Sequence, residues 1–414
     1  MSNYAAGGIT NEHYARVNEH RVRTQYAHLF ISRGIVFCAE EEYNVFRRLK
    51  PGKKSIGCAE HTEGQSLRKG VFDMEKKNID WGNLGFGYMP TDKRYVSNWK
   101  DGKWDEGGLI DDPTVQISEC AGILHYCQEI FEGLKAYTWE DGSIVTFRPD
   151  MNAQRMMDSA ARMEMPPFPA ERFLEAVDEV VKANAAWVPP YGSGASLYIR
   201  PYMFASGIVI GVKPAQEYQF RMIVTPVGPY FKGGAKPITI CVSDFDRAAP
   251  HGTGHIKAGL NYAMSLHAHV TAHAAGYDEN MFLDPETRTF VEETGGANFI
   301  FITKDGTLVT PKSDSILPSI TRRSICYIAE NMLGMKVEHR PVKFSELKDF
   351  AEAGLCGTAA VISPLGRVVA KDEVINFPAG MDEMGPVMKK LYDTITGIQQ
   401  GRIEGPEGWI RKIC

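Results

Sequence analysis

Three short segments of this 414-residue chain carry side chains suited to covalent amine chemistry. His251–Tyr262 reads HGTGHIKAGLNY, with Lys257 between small residues and just ahead of a helical pattern. A lysine that forms a Schiff base must be sterically accessible, and small neighbours keep it so. Phe290–Asn298 reads FVEETGGAN, where Glu293 ends a strand-like run beside two glycines that let backbone approach a flat ligand. Leu317–Arg322 reads LPSITR; Ser319 is a good N-cap, and the unpaired amides after it form a natural anion site. Taken singly, these are ordinarily a solvated lysine, a turn and a helix cap. Their order and spacing make the combination far more specific.

The elements that must position these residues are legible from Met74 onward. Ser143–Phe147 reads as a strand closing on Arg148-Pro149, and Asp150–Met163 and Glu171–Asn184 read as amphipathic helices. Ser196–Phe204 and Phe220–Thr225 are apolar strands, and the Gly/Pro-rich Pro226–Lys236 is the best linker. Beyond it, Ile238–Val242 is a strand, Asn261–Ala275 a helix, and Phe290–Glu293 and Phe299–Thr303 strands. A turn at Lys304-Asp305-Gly306 leads into Thr307–Thr310. A helix capped by Ser319 runs to about Leu333, where Gly334 ends it. A strand, helix and strand follow to about Val369, and Met384–Gln399 is the last helix.

Bulk properties exclude several classes. Hydrophobic content of 43% and charged content of 23% suit a globular protein, and a net charge of −5 attracts neither nucleic acid nor anionic membrane. No apolar run is long enough to span a bilayer, and no charged–apolar–small secretory pattern opens the chain, so a cytoplasmic location is expected. Eight dispersed cysteines without a C-x-x-C pair suit reduced thiols, and the histidines suggest no metal site. Residues 1–73 stand apart: 11 Lys/Arg face 8 Asp/Glu, four of the eleven histidines fall there, and apolar periodicity is absent. The stretch Pro51–Ser55 is not a phosphate loop, because Arg47 replaces the first glycine. Residues 1–73 are expected to be an extra segment, disordered or outside the enzyme, with Met74 as the functional start.

In order and spacing, the three segments resemble those of the class IV, fold-type-IV pyridoxal-phosphate aminotransferases: a lysine, about 35 residues to E-x-G-x-x-N, then L-P-[SG]-I-T-R. Further segments narrow the resemblance to branched-chain aminotransferases: HYCQEIFEGLKAY (His125–Tyr137), TFRPDMNAQR (Thr146–Arg155), LYIRPYMF (Leu197–Phe204), PVGPYF (Pro226–Phe231) and GTAAVISP (Gly357–Pro364). FEGLKAY, the Arg200 segment and PVGPYF argue against two related class IV enzymes, 4-amino-4-deoxychorismate lyase and D-amino-acid aminotransferase. The resemblance covers about Trp81 to Val369. It implies an α/β (α+β) protein with a small N-terminal α/β domain (74–227), an interdomain loop (228–234) and a larger, mixed, β-barrel-like cofactor domain (235–414).

It also implies roles. Lys257 would carry pyridoxal 5'-phosphate and move the substrate proton. Glu293 would bond the pyridine nitrogen, Tyr262 the phenolic oxygen, and Leu317 would pack on the ring. Arg155, the amides of Ile320 and Thr321, and Thr358 would hold the phosphate. Phe86, Tyr126, Phe131, Tyr198 and Tyr230 would wall an apolar side-chain pocket, with Gly296 at the substrate. Ile210 and Val212 would come from the partner subunit of a homodimer. Arg200 would take the distal carboxylate of glutamate or 2-oxoglutarate, and the Thr358–Ala359 amides the α-carboxylate. The implied reaction is ping-pong transamination of leucine, isoleucine and valine with 2-oxoglutarate. Its partners are amino and 2-oxo acids, with no nucleic acid, membrane or metal. Cys127, where the family commonly has glycine, and Gly296, often threonine, leave the preferred side chain open.

Overall fold

A computed structural model describes residues 75–228 and 235–414, which fall within one compact unit, Lys69–Cys414. The expectations for residues 1–73 and for Tyr230 lie outside the described residues.

The first sheet is antiparallel. It holds β1 (Arg94–Lys100), β2 (Lys103–Trp104), β3 (Gly108–Ile110), β4 (Glu129–Phe131), β5 (Leu134–Thr138), β6 (Ile144–Phe147), β7 (Ser196–Ala205) and β8 (Tyr218–Val227). Its central pair, β7 and β8, runs in register from Ser196↔Val227 to Ala205↔Tyr218. Helices α1 (Gly122–Tyr126), α2 (Pro149–Arg162) and α3 (Ala170–Ala183) accompany it. Phe173, Ala176, Val177, Val180 and Val181 recur at helical spacing on α3 and join the core formed with Leu197, Ile199, Phe220 and Met222.

The second sheet is mixed: β9 (Ile238–Val242), β10 (Glu279–Leu283), β11 (Val291–Thr294), β12 (Asn298–Ile302), β13 (Leu308–Pro311), β14 (Val337–Arg340), β15 (Glu352–Gly357), β16 (Val361–Val369) and β17 (Val374–Asn376). The run β11-β10-β9-β16-β15-β12 closes on itself because β11 also pairs with β12, through Glu293↔Asn298. A six-stranded barrel results. Strand alternation along β12 sends Phe299 and Phe301 to one core, and Ile300 and Ile302 to another shared with α5 (Ile320–Tyr327) and α6 (Pro386–Gln399). Helix α4 (Gly259–Ala274) precedes β10.

The last strand, β18 (Ile410–Lys412), returns to the first sheet and pairs with β6. The chain's final residues therefore extend the first sheet, although the division expected at 235 assigned them to the second domain. Hairpin distance alone did not disclose this, because the two partners are separated by most of the chain. Helix α5 is shorter than expected: from Ile328 to Met332 it widens into a π turn, and Gly334, at φ 64°, follows.

Candidate active site

Lys257 sits just before α4, where its backbone is clamped from two sides. Its carbonyl accepts the amide of Phe131 on β4 (3.0 Å), and its own amide donates to Ser159 Oγ on α2 (3.1 Å). Gly259 has no room for a side chain, since its amide donates to Glu129 Oε2 (2.9 Å) and a Cβ would overlap that carboxylate. Lys257 Nζ donates to Tyr262 Oη at 2.6 Å. It also lies 4.6 Å from the ring centre of Phe131, which meets Tyr262 edge-on at 4.8 Å. The reach from Lys257 to Tyr262 is set by the first turn of α4.

Glu293 stands where the barrel closes. Its Oε2 accepts from Asn298 Nδ2 (2.6 Å), its pairing partner across β12. Its Oε1 accepts from the Leu317 amide (2.8 Å) and forms an ion pair with Arg247, whose Nη2 lies 2.5 Å away. Burial pushes the Glu293 pKa up, while Arg247 and the Leu317 amide pull against that. Glu292, one residue back, points to the other face and accepts from Ser313 Oγ (2.9 Å) and Ser315 Oγ. Arg247 is itself buried, donates to the carbonyls of Gly254 and Ser315 (both 2.7 Å), and leaves its Nε without a hydrogen bond.

Arg155 on α2 is buried and doubly bonded to Glu132, Nε to Oε1 and Nη2 to Oε2, each at 2.7 Å. Glu132 is fully buried and also accepts from Asn152 Nδ2 (2.7 Å). Burial works against the Arg155 charge, but Glu132 outweighs it and the pKa is raised. Arg155 Nη1 reaches the Pro318 carbonyl (3.1 Å), beside the start of α5. There Ser319 caps the helix, its Oγ accepting from the Arg322 amide, which leaves the amides of Ile320 and Thr321 without intrahelical acceptors. Arg200 and Tyr198 share a face of β7, with Arg200 Nη2 donating to Tyr198 Oη (3.0 Å). The Arg200 guanidinium lies 4.8 Å from the Phe131 ring centre, and its Nε is buried without a partner. Phe86 packs edge-on against Tyr198 at 5.2 Å.

One cavity of about 210 Å³ collects most of the expected residues: Lys257, Tyr262, Glu293, Arg155, Leu317 and Ile320, together with Phe86, Phe131, Tyr198, Arg200, Gly296, Thr358 and Ala359. Thr321 is buried beside Ile320 but does not line it. Tyr126, Ile210 and Val212 lie outside it as well; the Tyr126 hydroxyl donates to the Ile210 carbonyl, and Ile210 and Val212 are 67% and 89% exposed. Cys127 adopts φ 50°, the left-handed region in which glycine costs least. Sequence reasoning missed Glu132, Arg247 and Ser159. The one signal for Glu132 was a carboxylate inside an apolar strand run, which burial permits only with a partner.

Among the described residues no group of three or more His, Cys, Asp or Glu could hold a metal ion, and no helix is long and apolar enough to cross a membrane. Comparison with known proteins agrees with the geometry. The family model for amino-transferase class IV matches residues 129–368. A branched-chain-amino-acid aminotransferase of Haemophilus influenzae is 52% identical over 342 residues, covering 81% of this chain and 99% of that protein. Among solved structures, the Escherichia coli branched-chain amino acid aminotransferase superposes with a TM-score of 0.67 at 28% identity, over 78% of this chain and 100% of that one. The branched-chain amino acid aminotransferase of Thermobaculum terrenum, solved in its PLP-form, gives a TM-score of 0.65 at 26% identity, over 79% of this chain and 100% of its own. A model match over more than half the chain and a relative matched almost end to end place the protein in one family: this chain belongs to the class IV aminotransferases.

Proposed function

We propose that the chain is a branched-chain-amino-acid aminotransferase working with pyridoxal phosphate. It moves the amino group of leucine, isoleucine or valine to 2-oxoglutarate in two half-reactions at one site, yielding branched-chain 2-oxo acids and glutamate. The observation that carries this reading is that Lys257 Nζ, the buried Glu293 carboxylate and the Arg155–Ile320 corner open into a single cavity.

The cofactor fits what lines that cavity. Glu293 offers a carboxylate to a pyridine nitrogen, held by Asn298, Leu317 and Arg247. Arg155 and the free amides that begin α5 offer the phosphate a cation and a helix N-terminus. When bound, pyridoxal phosphate supplies the electron sink that tolerates loss of the substrate's Cα proton. Lys257 would be the base that moves that proton, and Tyr262 Oη, which accepts from its Nζ, would orient it. Phe86, Phe131 and Tyr198 form the apolar wall for a branched side chain, and Arg200 meets the second carboxylate of glutamate or 2-oxoglutarate. One pocket thus serves two chemically different side chains. The Thr358–Ala359 turn receives the α-carboxylate common to all of them.

The exposed Ile208, Ile210 and Val212 support a homodimer in which this loop completes the partner's pocket. A cytoplasmic setting agrees with the free cysteines among the described residues.

The test is a panel of amino donors with 2-oxoglutarate as acceptor. Leucine, isoleucine and valine are expected to turn over at least about a hundredfold faster than D-alanine, since the α-carboxylate and side-chain sites fix one hand. Preference for D-alanine, or release of pyruvate from 4-amino-4-deoxychorismate, would overturn the assignment.

A further inference from the structure

Lys135, on β5 within FEGLKAY, is buried and ends on a backbone carbonyl, with no carboxylate beside it. Its Nζ donates to the Ala359 carbonyl at 2.8 Å, and among the described residues it forms no ion pair. It borders a second cavity of about 90 Å³, lined by Ala359, Ala360 and Val361, which shares Ala359 with the active-site cavity. The groups around it are neutral. Tyr198 lies opposite on β7, Tyr137 follows on β5, Tyr392 comes from α6, and Ser196, Gln399 and Gln400 complete the wall. Burial pushes both Tyr137 and Tyr392 up, so neither supplies a negative charge near neutrality. Burial also pushes the Lys135 ammonium down, to about 8.

A buried cation with no counter-ion is costly, and a sequence that keeps one needs a reason. The turn itself needs a tie. It closes between β15 and β16 at Gly357↔Val361, and Val361, a β-branched residue, is held at φ 63°. That conformation is strained for such a residue and persists only where the surroundings impose it.

We propose that Lys135 is a positioning residue for substrate carboxylates: through the Ala359 carbonyl it holds the Thr358–Ala359 amides toward the active-site cavity and lends that turn its positive charge. The inference rests on reading Thr358–Ala359 as the α-carboxylate receiver. Because every substrate carries an α-carboxylate, loss of Lys135 must weaken all of them alike, unlike loss of Arg200, which concerns the dicarboxylates alone.

The test uses full-length, cofactor-loaded enzyme and its Lys135→Met variant, which keeps the unbranched apolar stem and removes the ammonium. Binding of 4-methylvalerate, the leucine skeleton without its amino group, is measured by titration calorimetry at about pH 7 and about pH 9.5, on either side of the lysine's titration. At the lower pH the wild type is expected to bind about tenfold tighter than the variant, the size of one charge-assisted hydrogen bond. The gap should narrow at the higher pH, where Lys135 is neutral. KM for leucine and for glutamate should rise together by about the same factor, with kcat within about threefold. Wild type active on leucine together with equal affinities at the lower pH would overturn the inference alone, as would a loss confined to glutamate. Wild type inactive on leucine would overturn the functional reading and this inference with it. Should that variant not fold, Lys135→Gln, which removes the charge but keeps a polar group, is titrated in its place: an affinity equal to wild type at the lower pH overturns the proposal.

Discussion

Glu292 and Glu293 are chemically the same side chain one bond apart, and β11 sends them to opposite faces. Glu292 joins a serine cluster, whereas Glu293 enters the cavity with Asn298, Leu317 and Arg247 around it. Residue type marked Lys257 and Glu293 as candidates, their order and spacing with the LPSITR segment carried the family resemblance, and only that resemblance added Tyr262, one helix turn beyond the lysine. Glu132, Arg247 and Lys135 were not legible in the same way. What makes them matter is burial, and burial depends on neighbours that are distant in sequence, such as Arg155 for Glu132 and Ala359 for Lys135. Glu293→Gln is expected to slow turnover at least about a hundredfold while cofactor affinity changes less than about tenfold. An amide keeps the shape but cannot stabilise a protonated pyridine, and the phosphate contacts remain. Single-turnover rates and a cofactor titration check it; turnover close to wild type would remove Glu293 from the chemistry.

Elements with strong periodicity were read within a residue or two. Helix α3 runs Ala170–Ala183 where Glu171–Asn184 was expected, and β9 matches Ile238–Val242. Strands β1 to β3 and β10 were not anticipated, since sequences such as RYVSNWK alternate too weakly to stand out. Nor was β18, whose place depends on Trp409. That side chain is 7% exposed, packs edge-on against Phe147 at 5.5 Å, and lies against Tyr327 of α5 at 5.2 Å. It also sits beneath the Arg148 guanidinium, 4.5 Å from its ring centre. Trp409 therefore joins the edge of the first sheet to helix α5. Trp409→Ala is expected to cost about 3–5 kcal/mol, read as a lower urea midpoint at unchanged slope. A loss below about 1 kcal/mol would mean that the terminal strand is held by its hydrogen bonds alone.

For the whole molecule, the two sheets contribute to one cavity: β4 and β7 bring Phe131, Tyr198 and Arg200, while the barrel brings Glu293 and the 358–360 turn. Lys257 belongs to the segment between β9 and β10, yet it is fastened to β4 and α2, so the reactive amine depends on both halves. The expected barrel-like second part is realised through a closure that linear patterning hints at only as a tight hairpin around Thr294–Ala297. We propose that residues 74–414 contain all that the chemistry needs. Whether Lys257 carries the cofactor is decided by borohydride reduction of the full-length, cofactor-loaded protein, followed by proteolysis and mass mapping. A single phosphopyridoxyl label is expected, on the peptide containing Lys257; a label on any other lysine would overturn the assignment.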